Sequence, residues 1–389
     1  MRVFEVLLVF IRLGVTSFGG PVAHLGYFRK EFVERRRWLD EPAYAGIVGL
    51  CQFLPGPASS QVGMALGLMR AGLPGAFAAF IGFTAPSAAL MIGFAYLMTS
   101  LGNIEQAPWI HGLKIAAVAV VAQAVWSMAR SLTPDPLRGG FAVAAALIAL
   151  LLPSSIGQIA AIALGGVAGW LLLRSDDVPM PELALPVSRT LSVFALVLFF
   201  GLLLVLPFAA RLGHLLALLD AFYRTGALVF GGGHVVLPLL QKATVATGWV
   251  GNSTFLAGYG AAQAVPGPLF SFAAFLGAAM RETPNGWSGA LLCLGAIYLP
   301  SFLLVIGALP AWHAAQRHAA MRSALKGVNA AVVGLLLAAL YTPVWTSAIF
   351  TLADFVIASA ALVLLVWARA PSWAVVAFGA LAATAVAAF

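Results

Sequence analysis

Long apolar runs follow one another along almost the whole chain, and this feature limits the fold more than any other. Hydrophobic residues make up 62% of the 389 residues, and charged residues only 9%. A water-soluble domain has too little interior to hide that much apolar surface. The sequence therefore predicts an all-α polytopic membrane protein, because helices satisfy their own backbone groups in lipid. The apolar runs are 75–100, 110–129, 139–152, 156–173, 190–210, 287–310, 328–342, 345–368 and 372–389.

The second half of the chain repeats the first at an offset between 210 and 214 residues. The stretch "FIRLGVTSFGG" (10–20) aligns with "FYRTGALVFGG" (222–232), and "QFLPGP" aligns with "QAVPGP". The apolar run 190–210 has no counterpart and reads as one extra transmembrane helix. The predicted domains are an N-terminal repeat, a linker with the connecting helix, and a C-terminal repeat, over 1–173, 174–210 and 211–389.

Loop charges indicate that the two repeats have opposite orientations in the membrane. The loop 29–38 carries five cations, which is typical of a cytoplasmic loop, while its counterpart 241–249 carries one. The asymmetry reverses at 108–111, which has no cation, and 313–322, which has two arginines and two histidines. An unpaired crossing between the copies turns the second one over, so the sequence predicts two inverted-topology repeats.

Broken helices are predicted at the FGG and PGP motifs. The arms 42–54 and 58–69 span about 18–20 Å at ~1.5 Å per residue, which is less than the ~30 Å of a hydrocarbon core. They read as re-entrant half-helices, with full crossings as the alternative. Broken backbone survives in lipid only where protein buries it or where it lines a cavity. The N–H groups of a helix that starts there favour an anion.

Two arginines within apolar segments, Arg12 and Arg224, are the candidate countercharges for that anion. The alternative is that they snorkel, or pair with Glu5 and Asp220. Gln52 and Gln263 precede the PGP turns and either hydrogen-bond the ligand or pack between helices. Further candidates, each with a structural role as its alternative, are Lys114, Lys326, His24, His234, Arg70 and Arg281.

These motifs, in this order, resemble the chromate ion transporter (CHR) family in its long, two-domain form. The resemblance rests on "SFGGP" at 17–21, "WLDE" at 38–41, "QFLPGP" at 52–57, "FGGGHVVLP" at 230–238 and "QAVPGP" at 263–268. It implies a multi-pass protein of the bacterial inner membrane that moves chromate outward and confers chromate resistance. It also implies a substrate site that includes the motif positions Phe18, Gly19, Gly20, Pro21, Gln52, Pro55, Gly56, Pro57, Phe230, Gly231, Gly232, Gln263, Pro266, Gly267 and Pro268. Gly233 stands where the first copy has Pro21.

Other functions stay open at this point. Some members of the family are linked to sulfate, so a proton-coupled sulfate uptake carrier is one alternative, and a passive oxyanion channel is another. No clustered cysteine and histidine set or cofactor motif supports an enzyme, and no cofactor or metal is predicted. The scattered cations do not favour nucleic acid as a partner. The expected partners are chromate and the lipid bilayer, and a homodimer is left open.

Overall fold

The computed structural model describes residues 2–18, 20–100, 107–152, 155–174, 187–229, 236–316 and 319–387. These ranges are helical and contain no β-strand, which confirms the all-α prediction. The helices are α1 Arg2–Thr16, α2 Gly20–Phe28, α3 Glu41–Phe53, α4 Ala58–Ser100, α5 Pro108–Leu132, α6 Pro136–Leu151, α7 Ser155–Leu172, α8 Arg189–Ala209, α9 His214–Leu228, α10 Val236–Thr244, α11 Asn252–Ala264, α12 Phe272–Ala278, α13 Gly286–Gln316, α14 Ala319–Ala339, α15 Leu352–Val366 and α16 Ser372–Val386.

Five helical stretches in the described ranges are long and apolar enough to cross a membrane, so the protein is a multi-pass membrane protein. The stretch in α8 is the most exposed, with 11% of its apolar window buried. An exposed apolar surface of this kind is typical of a helix that faces lipid. The five stretches are Ala58–Ser100, Pro108–Arg130, Arg189–Leu212, Gly286–Ala308 and Ala320–Thr342.

Local signals in the sequence explain where several helices start. Asp135 caps α6 by accepting the N–H of Arg138, and Pro136 fits the first turn because it has no N–H to satisfy. The Arg138 N–H and its guanidinium also lower the pKa of the Asp135 carboxyl. At α15, Thr351 and Asp354 form a reciprocal capping box. These polar caps set the ends of otherwise apolar helices.

The helix order is the same in the two halves once the kink in α4 is counted. Ala71 and Gly72 leave helical geometry and divide α4 into α4a (58–70) and α4b (73–100). In the second half, a turn divides the corresponding α12 from α13. The succession from α1 to α7 therefore matches the succession from α9 to α16, and α8 stands between them without a counterpart.

The two halves interlock through an exchange of their last helices. Helices α6 and α7 pack on α14 of the second half, and α15 and α16 pack on α5 of the first half. Glycines allow the close approach: a Cβ on Gly327 of α14 would overlap the Gly165 backbone of α7, and one on Gly112 of α5 would overlap Gly379 of α16. The reciprocity fits a duplicated chain, while the domain boundaries and the inverted orientation stay predictions.

Candidate functional site

Each PGP turn contacts the end of the broken helix in the opposite half. The Gly56 N–H donates to the Val229 carbonyl oxygen at 2.6 Å, and the Gly267 N–H donates to the Ser17 carbonyl oxygen at 2.9 Å. Ser17 and Val229 are equivalent, because each directly precedes the phenylalanine of an FGG motif. We call the Gly56–Val229 contact the first crossing and the Gly267–Ser17 contact the second crossing.

Glycine is required in both PGP turns because of the backbone conformation. Gly56 has a φ of 118° and Gly267 a φ of 98°, values that residues with a side chain rarely adopt. A Cβ on Gly56 would lie 2.6 Å from both the Gln61 Nε2 and the Ser301 Oγ. The flanking prolines fix φ and remove N–H donors, so the glycine N–H is the donor that each turn presents.

Helices α4b and α13 supply an equivalent serine to each turn. Ser301 Oγ of the second half lies beside Gly56 of the first. Reciprocally, Ser87 Oγ of the first half lies 3.1 Å from the place of a Cβ on Gly267. Both serines directly follow a proline inside their helices. The crossings are thus built from the PGP turn of one half, and the broken helix and Pro–Ser helix of the other.

The two crossings differ in their polar groups. At the first, Ser60 Oγ lies 3.5 Å from the Tyr298 hydroxyl, and Gln61 Nε2 donates to the Pro55 carbonyl oxygen at 2.6 Å. Within the described ranges, Gln61 Oε1 and Ser301 Oγ are buried without a hydrogen-bond partner. At the second, Ser87 Oγ donates to the Thr84 carbonyl oxygen at 2.9 Å, while Ser17 Oγ is buried without a partner among the described residues. Unpartnered buried polar groups are costly, so the first crossing retains capacity for a polar ligand.

His24 and Gln263 lie at the second crossing. His24 Nε2 lies 3.2 Å from the Ser17 carbonyl oxygen, and its Nδ1 lies 3.2 Å from Ser59 Oγ at the start of α4a. Tyr259 hydrogen-bonds Gln263, whose Nε2 is buried without a partner among the residues described. His24 therefore links the second crossing to the start of α4a.

The structure brings together one part of the predicted motif set. Gly20 starts α2 with a φ of 77°, and Phe18 is half-buried beside it. The positions at the crossings are Pro55, Gly56, Pro57, Pro266, Gly267, Pro268, His24 and Gln263. The positions outside the described residues are Gly19, Phe230, Gly231, Gly232, Gly233 and His234, and the same holds for the side chain of Gln52.

Arg12 and Arg224, which occupy equivalent positions in the two repeats, have different surroundings. Arg224 forms an ion pair with Asp220 one turn away on α9, as the structural alternative predicts. Arg12 lies on the exposed face of α1, and Glu5 pairs instead with Arg36 at 3.3 Å and Arg70 at 2.9 Å. The basic segment folds back so that its Arg36 pairs with Glu5, the acid predicted as the partner of Arg12. A role for either arginine in anion binding stays a prediction.

The remaining candidate cations make contacts elsewhere. Lys114 is buried and donates to Ser253 Oγ, while Lys326 donates to the Arg174 carbonyl oxygen at 3.1 Å. The Arg70 guanidinium lies 5.0 Å from the centre of the Trp38 ring. Arg281 is exposed, and its backbone N–H donates to the Trp249 carbonyl oxygen. These contacts are compatible with the structural alternative, and a role for the four cations in the ligand path stays a prediction.

Sequence reasoning missed the polar residues that complete the crossings. Ser59, Ser60 and Gln61 follow the first PGP turn, and all three are buried. A signal was present, since three consecutive polar residues open an apolar helix. The repeated Pro–Ser pairs at 86–87 and 300–301 were a second signal, because a polar residue conserved between two copies of one chain has a shared role.

The fold and the site define a class of protein: a duplicated helical membrane protein in which broken helices contact each other across the two halves. The sequence model of the family described as "Chromate transporter" matches residues 4–170 and 216–384. The chain belongs to the chromate transporter family. Membership supports a role in chromate transport, and the family is one of transporters and not of enzymes.

Several curated proteins are similar over most of their length. The chain is 27% identical over 338 residues to a chromate transport protein of Pseudomonas aeruginosa, covering 84% of this chain and 77% of the relative. It is 24% identical to a chromate transport protein of Cupriavidus metallidurans, covering 85% and 80%. An uncharacterized transporter of Methanocaldococcus jannaschii is also 24% identical, covering 86% and 82%. No solved structure matches.

Proposed function

We propose that this protein is a secondary transporter that exports chromate across the bacterial inner membrane and so confers chromate resistance. The observation that carries the proposal is the reciprocal pair of crossings, because it places two broken backbones, free helix starts and unpartnered buried polar groups between the halves. The names of the relatives in Pseudomonas aeruginosa and Cupriavidus metallidurans favour chromate as the substrate.

The crossings favour a carrier over a passive channel. At the first crossing, the Gly56 turn is packed so tightly that one added carbon would lie 2.6 Å from two side chains. A channel needs a continuous path, whereas a carrier closes one side of its site while the other side opens. In inverted repeats, rocking of one repeat against the other exposes the site to each side in turn. If one crossing breaks while the other stays closed, the site opens to one side of the membrane at a time.

Energetics favour export over uptake. An inside-negative potential drives an anion outward with about 2.3 kcal/mol per 100 mV for a singly charged, protonated oxyanion, and about 4.6 kcal/mol for a dianion. Export therefore needs no coupled ion. Uptake of a dianion such as sulfate would need cotransported cations to overcome the same potential, which is what a proton-coupled sulfate carrier would have to provide.

Flux into liposomes distinguishes these functions. With purified protein and an imposed potential, we expect labelled chromate to move toward the positive side without a pH gradient, to saturate, and to accelerate when chromate is present on the far side. Liposomes without protein are the control. Flux that requires a proton gradient or prefers sulfate would establish the sulfate carrier instead, and unsaturable flux without exchange would establish a channel.

A further inference from the structure

The start of α4a carries three consecutive polar side chains in the buried interior. Ser59, Ser60 and Gln61 are 2%, 3% and 0% exposed. The equivalent positions in the second half are Phe270, Ser271 and Phe272, so only one polar residue is kept there. Burying polar side chains in an apolar interior is costly unless they find partners. The helix start at the first crossing is therefore more polar than the one at the second crossing.

Hydrogen-bond donors converge on this place. The Gln61 N–H donates to the Pro57 carbonyl oxygen, which makes the N–H groups of the three preceding residues the free first turn of the helix. Ser301 Oγ, which is 0% exposed, has no partner among the described residues and lies beside Gly56. Free N–H groups at a helix start together with a hydroxyl donor are the groups that bind oxyanions.

One buried acceptor accompanies these donors. Gln61 Nε2 donates to the Pro55 carbonyl oxygen at 2.6 Å, and this bond fixes the amide orientation, so that Oε1 is the atom without a partner among the described residues. An amide oxygen has only lone pairs to offer. At close range it repels an unprotonated dianion, whereas it can accept a hydrogen bond from a ligand that carries an O–H group. Chromate takes up a proton near neutral pH, whereas sulfate and selenate do so only in strong acid.

Building on the chromate transport proposed above, we propose that the start of α4a and Ser301 form a single oxyanion site per chain, and that this site selects a tetrahedral oxyanion bearing one proton. Ser301, Ser60 and the free N–H groups bind the unprotonated oxygens, and Gln61 Oε1 accepts the O–H. In the present structure, the Val229 carbonyl oxygen holds the Gly56 N–H, so the ligand enters when the first crossing opens. No anion is assigned to the second crossing, where the helix start keeps only one polar residue, Ser271, and Ser87 already donates to the Thr84 carbonyl oxygen.

Several protein groups near this site can also titrate, and two of them contact the serines at the start of α4a. His24 of α2 contacts Ser59, and Tyr298 of α13 contacts Ser60. Further titratable or charged residues on the helices packed against α4 include Arg2, Glu5 and Arg12 on α1, Tyr27 on α2, Glu41, Tyr44 and Cys51 on α3, Tyr259 on α11, and Cys293 on α13. A test must therefore separate a proton on the ligand from a proton on these groups, and selenate serves this purpose because it stays a dianion.

Equilibrium binding to the purified full-length protein tests the proposal. We expect one chromate per chain, with an apparent affinity that falls about tenfold per pH unit above the ligand's own pKa, because the protonated fraction falls by that factor. Selenate is expected to bind weakly, without that slope. Two chromates per chain, or selenate binding with the same affinity and slope as chromate, would overturn the proposal while leaving chromate transport intact. An absence of both chromate binding and chromate flux would overturn both proposals.

Matched variants locate the site. Ser301→Ala is expected to weaken chromate binding about tenfold, the loss of one hydrogen bond to a charged group. Ser87→Ala, its equivalent at the second crossing, is expected to leave binding unchanged. Gln61→Met is expected to reduce the preference for chromate over selenate. Equal losses in Ser301→Ala and Ser87→Ala would refute a single site, and this comparison holds even if Gln61→Met does not fold.

Discussion

Replacement of Gly56 by alanine is expected to reduce chromate flux at least tenfold, to near the background of protein-free liposomes. The φ of 118° strains any residue with a side chain, at about 1–3 kcal/mol. In addition, the new methyl group would displace Gln61 Nε2 and Ser301 Oγ, both 2.6 Å from its position. The first crossing could then not re-form during the transport cycle. The measurement is initial chromate flux per unit of folded, reconstituted protein.

Two other glycines calibrate this effect. Gly93→Ala on α4b is the matched control, because nothing lies within 4 Å of its Cβ position, and it should transport like the wild type. Gly267→Ala is expected to be intermediate, because its nearest neighbours lie at 3.1–3.2 Å. If the Gly56 variant transported at the rate of the Gly93 variant, the first crossing would have no part in transport.

Arg224→Gln is expected to destabilise the protein by on the order of 3 kcal/mol, because it leaves the buried carboxylate of Asp220 without its partner. Arg12→Gln, at the equivalent but exposed position, should leave stability nearly unchanged. The measurement is the midpoint of thermal unfolding in detergent, together with the yield of folded protein.

The double variant Asp220→Asn with Arg224→Gln separates stability from function. It removes both charges, so the folded yield should recover. Chromate flux in this variant then tests whether Arg224 contacts the substrate: wild-type flux assigns it a structural role alone, and lost flux in a stable protein assigns it to the anion path. Equal stability of the Arg224→Gln and Arg12→Gln variants would contradict the claim that only Arg224 forms an ion pair that stabilises the fold.

Much of the helix order follows from the sequence, because apolar length and helix breaks are local properties. The runs beginning at 75, 110 and 287 became α4b, α5 and α13, and the arms around each PGP turn became separate short helices. The exchange of α6 and α7 with α15 and α16 was not predictable. It depends on glycine contacts such as Gly165 with Gly327, which join residues far apart in the chain.

The site was predictable at the PGP turns but not around them. A glycine between two prolines predicts a turn with an unusual backbone conformation. The residue whose carbonyl oxygen accepts its N–H, Val229 or Ser17, is known only once the two halves are packed together. Arg12 drew attention because a charge in an apolar segment is costly. That Glu5 pairs with Arg36 follows only from the way the basic segment folds back, which the sequence does not show. Ser59 and Ser60 went unnoticed because hydroxyl side chains are ordinary in transmembrane helices.

Sided cysteine labelling tests the central claim most directly, namely that the two halves are oppositely oriented copies enclosing one path. Arg35 and Thr247 are exposed residues in the corresponding loops of the two halves and are each replaced by cysteine, while the native Cys51 and Cys293 are buried. With a membrane-impermeant thiol reagent in cells and in inverted vesicles, we expect residue 35 to react only from the cytoplasmic side and residue 247 only from the opposite side. Reaction of both from the same side would contradict the inverted arrangement and the alternating site built on it.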